Sequence, residues 1–126
     1  MAEYSVQIAE SSKELSARDK IRLKDTTGAQ QLNKLAKNGE IIITPVAYTV
    51  LDVHNDKAQG DKDYKQYLIE DADGTIYSTG SSSLWNAFKD IFDELTSAGE
   101  EGWSIKVYGL PSKNYEDKIF LTCSLI

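Results

Sequence analysis

One cysteine, one histidine and two prolines stand in a chain of 126 residues, and each scarcity removes a class of chemistry. Cys123 has no second cysteine for an internal disulfide, and it lies in the apolar run 119–126, where a small buried hydrophobe fits. With His54 the sole imidazole, a zinc site of the Cys/His kind cannot be assembled. His54 stands two residues from Asp52, but no nucleophile accompanies the pair, and a solvated strand end accounts for it. No apolar run approaches the roughly 18 residues needed to cross a membrane, and the first residues lack the basic-then-apolar pattern of a leader. The expectation is an intracellular protein in a reducing compartment, with no metal, no cofactor, no membrane partner and no enzymatic activity.

Positive charge is also scarce. The formal net charge is -6 and the pI about 4.7, which argues against the broad basic surface of a protein held to duplex DNA by phosphates. The imbalance is local: residues 1–40 hold seven Lys/Arg against six Asp/Glu, and the remainder seven against fourteen. Affinity for nucleic acid therefore has to come from stacking, a local groove or the N-terminal arm.

What the chain does contain is strand-forming material after Gly39. The first 24 residues are polar, with scattered Tyr4, Val6 and Ile8, and read as a weak strand, an arm or a partly disordered segment, with a short strand at Ile21–Leu23. Thr27 can cap a short helix over 28–37. EIIITPVAYTVLDVH (40–54) is too long for one straight strand and carries Pro45, which predicts a bend or bulge there. YKQYLIED (64–71), the Asp73-Gly74 turn and TIYST (75–79) form a hairpin. Leu84, Phe88, Ile91 and Leu95 recur at helical spacing, widened by Trp85 and Phe92, up to about Ser97. WSIKVYGL (103–110) and IFLTCSLI (119–126) read as two further strands.

Three strands, one helix, two strands is the order of a five-stranded Greek-key OB barrel with the helix between strands three and four. An SH3-like barrel lacks that helix, and a ferredoxin-like fold needs one between the first two strands. The expectation is thus a mostly β OB-fold domain over 25–126, preceded by a polar arm over 1–24.

In such a barrel, oligonucleotides lie on strands two and three and on the loops joining strands one to two and four to five. Those elements are rich in tyrosine and lysine: Tyr48, Tyr64, Tyr67, Tyr77, Tyr108 and Tyr115, with Lys57, Lys62, Lys65, Lys106 and Lys113 interleaved. Tyrosine rings stack on any base at about 1–3 kcal/mol each, so the pattern predicts sequence-tolerant binding of single strands. Burying Leu68 and Ile76 puts Lys65, Tyr67 and Ile69, and Thr75, Tyr77 and Thr79, on the opposite face, so Tyr67 and Tyr77 can share one exposed surface. On the fourth strand, Trp103, Ile105 and Val107 read as core, with Ser104, Lys106 and Tyr108 outside. Packing across strands is the competing explanation for each tyrosine taken singly.

Two other motifs have plain explanations. Asp71-Ala-Asp73-Gly74 shares letters with a calcium loop, but Ile69 stands where the first ligand belongs. Gly80-Ser-Ser-Ser83 lacks the lysine of a phosphate-binding loop, and capping by Ser82 suffices.

NDKAQGDKDYKQYLIEDADGTIYSTGSSSLW (55–85) and KVYGLPSKNYEDKIFLTC (106–123) together resemble the small single-stranded-DNA-binding proteins of phages and conjugative plasmids of Gram-positive bacteria. The resemblance extends over about 20–126. It implies an OB fold that coats replication or transfer intermediates in the cytoplasm of a bacterial host, often as an oligomer or cooperative array. It also implies a DNA role for Tyr67, Tyr77 and the lysine-bearing loops. Members of the wider functional class end in a flexible acidic tail, whereas this sequence closes on LTCSLI, so the N-terminal arm becomes the candidate for linking protomers. RNA in place of DNA, and a protein-interaction module in place of either, stay open.

Overall fold

The computed structural model describes residues 4–25, 29–36, 39–56, 62–111 and 119–126. Their elements run β1 (Tyr4–Ser11), α1 (Ala17–Lys24), β2 (Gln30–Gln31), α2 (Leu32–Leu35), β3 (Ile41–Ile43), β4 (Pro45–Asn55), β5 (Asp63–Asp71), β6 (Ile76–Thr79), α3 (Ser82–Ser97), β7 (Ile105–Pro111) and β8 (Ile119–Leu125).

The long run 40–54 bends where its proline predicts. Thr44 separates β3 from β4, and the register of β4 against β5 slips between Pro45 and Ala47. The bend sends the two halves into different sheets. One sheet has the order β1-β4-β5-β6-β2, the other β3-β7-β8. The β5–β6 turn closes as expected, with Gly74 at φ 92 and its N–H donating to the Asp71 carbonyl. A Thr75 N–H to the Asp73 carboxylate, 2.9 Å, completes it and holds that carboxyl below its usual pKa.

The architecture is mostly β, in two sheets, and a closed barrel is not formed among the described residues. β6 and β8 do not pair. The outer edge of β6 is occupied instead by Gln30–Gln31, in parallel register with Tyr77–Ser78. The arm is also more ordered than its composition suggests. β1 adds antiparallel to β4, and Ile21–Leu23, expected as a strand, belong to α1. Ser16 and Asp19 make a reciprocal capping box there, satisfying donors that a strand would leave to a neighbour. The 28–37 helix shrinks to α2; residues 28 and 37 lie outside the described residues.

α3 covers the inner face where the sheets meet. Ser81, one residue before the expected cap, accepts from the Leu84 N–H at 3.2 Å, and the Ser83 hydroxyl donates to the Leu121 carbonyl at 2.8 Å, tying the helix to β8. Leu84, Trp85 and Phe88 are buried against Tyr48, Val50 and Ile69 from one sheet and Ile43, Ile105, Val107 and Leu121 from the other. Burial of each such side chain contributes about 1.5–3 kcal/mol. A smaller cluster of Leu51, Val53 and Leu68 fills the opposite face of the first sheet, with Val6, Ile8, Leu23 and Ile76 packed on it.

Cys123 is buried as expected, and burial pushes its thiol up to about 11. The reacting species is the thiolate. Ellman's reagent at pH 8 is therefore expected to leave the folded protein unlabelled and to react at the rate of a free thiol once denaturant is added. Fast labelling of the native protein would place Cys123 elsewhere.

Candidate nucleic-acid interface

The expected parity of the strands holds, but the expected exposure does not. Tyr67 and Ile69 on β5 do share a face with Tyr77 and Thr79 on β6, through the pairs Tyr67–Thr79 and Ile69–Tyr77. That face points inward, because α3 packs on it. Tyr67 lies flat on Trp85, with ring centroids 4.5 Å apart and planes 9° from parallel. Tyr77 is half-buried against the same cluster, and burial raises its phenol pKa, with Asp71 and Asp73 adding to the shift. Tyr48 is buried edge-on to Trp85, Phe88 and Phe92, and its hydroxyl donates to Glu10 Oε1 at 3.2 Å. Lys89 lies over its ring at 5.1 Å and is held by Asp93, then by Tyr48, well above the usual lysine range. Tyr48, Tyr67 and Tyr77 therefore form core contacts rather than the open stacking surface expected of them. Each alternating set on β5 has a buried apolar residue, Leu68 in one and Ile69 in the other, so burying Leu68 on one face does not free the other.

Toward the loop end of the β4–β5 hairpin the inward face runs out into ion pairs. Lys65 bonds Asp52 at 2.7 Å, and that carboxylate raises its pKa. His54 sits between Asp63 on Nδ1 and Asp56 on Nε2, both at 2.7 Å. These carboxylates, Asp63 first, raise the imidazole pKa above 6.5. A raised folded-state pKa gives stability that is complete below the unfolded value and is lost as pH climbs through the folded one. NMR titration of the lone histidine is expected to give a midpoint above 6.5 that falls back toward it in Asp63→Asn. A native midpoint at or below 6.5 would contradict the geometry. Tyr64 is exposed on the outer side of this hairpin, and Lys62, in the connection just before β5, is exposed too. Lys57, Lys113 and Tyr115 lie outside the described residues.

One expected pair does face outward together. On β7, Ile105 and Val107 are fully buried, which turns Lys106 and Tyr108 to the outer face. The Lys106 amine lies 5.4 Å from the Tyr108 ring centroid, and the Tyr108 hydroxyl shares a 2.8 Å hydrogen bond with Ser124. Register extends the face into three cross-strand rows: Ile42–Lys106–Ser124, Tyr108–Thr122 and Leu110–Phe120. Ile42 is 53% exposed, Phe120 43% and Leu110 38%. No strand residue in these rows is acidic. Glu40, just before β3, reaches Lys106 at 3.7 Å.

Phe120, Leu110 and Ile42 were not singled out from the sequence, although a signal for Phe120 was present. Thr122 and Ser124 alternate with Leu121 and Cys123, so the polar parity of β8 includes position 120. The second missed feature is α1, whose Arg18, Lys20, Arg22 and Lys24 are crowded onto eight residues none of which is buried.

The sequence matches no family model, no curated protein and no solved structure.

Proposed function

We propose that this chain binds single-stranded DNA on an OB-type scaffold, through the outer face of β3, β7 and β8. Such binding would coat and protect replication or transfer intermediates. The carrying observation is the Lys106 amine over the Tyr108 ring beside exposed Phe120, on a sheet face whose strand residues include no carboxylate. Aromatic rings offer bases a stacking surface, and the lysine offers a phosphate a counter-charge in an otherwise acidic chain.

The scaffold reading rests on strand order. Counting the bent β3–β4 as one strand, the pairs run β6-β5-β4/β3-β7-β8, with α3 between β6 and β7. That order supports an OB scaffold opened between its third and fifth strands, with β1 and β2 added to the first sheet. Lys62 and Tyr64, exposed on the β4–β5 hairpin, are the further contacts this scaffold suggests.

Titration of dT oligomers against duplex of equal length, at several salt concentrations, tests the reading. Single-strand binding is expected with a shallow salt dependence, a slope of about -1 to -2 in log–log form, because few phosphates meet a lysine. Absence of single-strand binding below about 10 μM at low salt would sink it. Parallel titration with rU oligomers separates DNA from RNA, a choice that depends on room for the 2′-hydroxyl.

Exposed Ile42, Leu110 and Phe120 favour one second reading, a protein-interaction module using the same face. Failure of every oligonucleotide with the fold intact supports that reading.

A further inference from the structure

α1 carries one apolar side chain inward and another outward. Leu23 packs on the chain's own Leu51, Val53 and Leu68, whereas Ile21 is 71% exposed. At about 100° per residue those two side chains lie on opposite sides of the helix, and Arg18 and Lys24 flank Ile21 at about 60° on either side. An apolar residue between two cations is thus turned to solvent. Among the described residues, neither Arg18 nor Lys24 makes a salt bridge.

A site of the opposite character lies at the far end of α3. The helix stops in a Schellman turn, with Gly99 at φ 77, the Glu100 N–H donating to the Leu95 carbonyl and the Gly99 N–H to the Thr96 carbonyl. The turn opens a groove of about 530 Å³ lined by Pro45, Val46, Phe92 and Trp103 and edged by Glu100 and Glu101. Val46 is 53% exposed, and Phe92 meets Trp103 edge-on at 5.9 Å. The last turn of α3 carries no basic residue, so the negative helix end adds to both carboxylates. No residue of α1 lines this groove, which stands open among the described residues.

We infer that α1 of one copy docks into the Phe92–Trp103 groove of the next, with Ile21 as the apolar anchor and Arg18 and Lys24 against Glu100 and Glu101. Helix and groove are different surfaces, so the contact is head-to-tail and builds open chains unless its rotation closes a ring. It does not depend on the nucleic-acid reading. Its charged rim is screened by salt, because the Debye length falls to about 10 Å at 0.1 M.

The full-length protein without nucleic acid, followed by sedimentation velocity across concentration, tests this. Association is expected at low salt and about tenfold weaker association at high salt. Ile21→Asp is expected to leave monomers, and so are the double variants Arg18→Glu/Lys24→Glu and Glu100→Lys/Glu101→Lys, each checked for an unchanged melting temperature. Mixing the two charge-reversed doubles is expected to restore hetero-association, because their reversed charges complement. A wild type that stays monomeric to about 1 mM at low salt overturns the inference. So does a mixture that fails to associate, and if Arg18→Glu/Lys24→Glu alone then loses oligonucleotide binding, α1 is a phosphate contact instead.

Discussion

Trp85→Ala is expected to cost about 3–5 kcal/mol and to lower the melting temperature by roughly 10–20 °C. The indole is 8% exposed and central to the aromatic cluster, stacked on Tyr67 and within 5.2–5.4 Å of the Tyr48 and Phe88 ring centroids. Its removal takes away the ring on which Tyr67 stacks and one ring contact each of Tyr48 and Phe88, and β5, β4 and α3 cannot close on the space without losing their register. Tyr67→Ala acts through the same stack with a smaller loss. Tyr67→Phe keeps the ring and is expected to be nearly neutral. Equilibrium denaturation measures all three, and a Trp85→Ala cost below about 1 kcal/mol would mean that α3 does not cover the inner face.

The second large effect is on binding. Tyr108→Ala with Phe120→Ala removes both aromatic rings of the outer sheet face and is expected to weaken dT oligomer affinity by about 2–6 kcal/mol, one to three for each stacked base. Both rings are partly exposed and neither belongs to the buried clusters, so the melting temperature should change little. Lys106→Glu adds repulsion to a face already carrying Glu40 and is expected to weaken binding further and to flatten the salt dependence. Unchanged affinity in the double variant, with the fold intact, moves the DNA from this face to the Tyr64 hairpin or to α1.

The division between what could be read in the sequence and what could not follows from the physics. Bend, turn and helix are written locally: Pro45 interrupts a β-branched run, Asp73-Gly74 supplies a tight turn, and the Leu84–Phe88 spacing repeats at a helical period. Strand parity is local too, so Tyr67 and Tyr77 were correctly placed on one face. Whether that face is wet is a tertiary question. Leu68 and Ile69 are adjacent and both fully buried, and nothing in YKQYLIED says which side receives the helix. The Trp85 ring, read as part of a helix stripe, is what Tyr67 stacks on. At the N-terminus the S-x-x-D signature at Ser16–Asp19 marked a helix start, but low hydrophobicity suggested disorder. The edges filled by β1 and β2 are non-local pairings that no window of sequence contains.

A head-to-tail α1 contact and a stacking face on β7–β8 would give an acidic protein two ways to hold a single strand without a basic surface. Neighbouring copies would share the strand, and each would grip few phosphates.

Amide chemical-shift mapping on titration with a short dT oligomer tests the placement most directly. Perturbations are predicted to cluster at Ile42, Lys106, Tyr108, Phe120, Thr122 and Ser124, the outward rows of the three-stranded sheet, with a lesser set at Tyr64. Perturbations confined to α1 or to the β5–β6 face, with the β7–β8 rows unmoved at saturation, would contradict it.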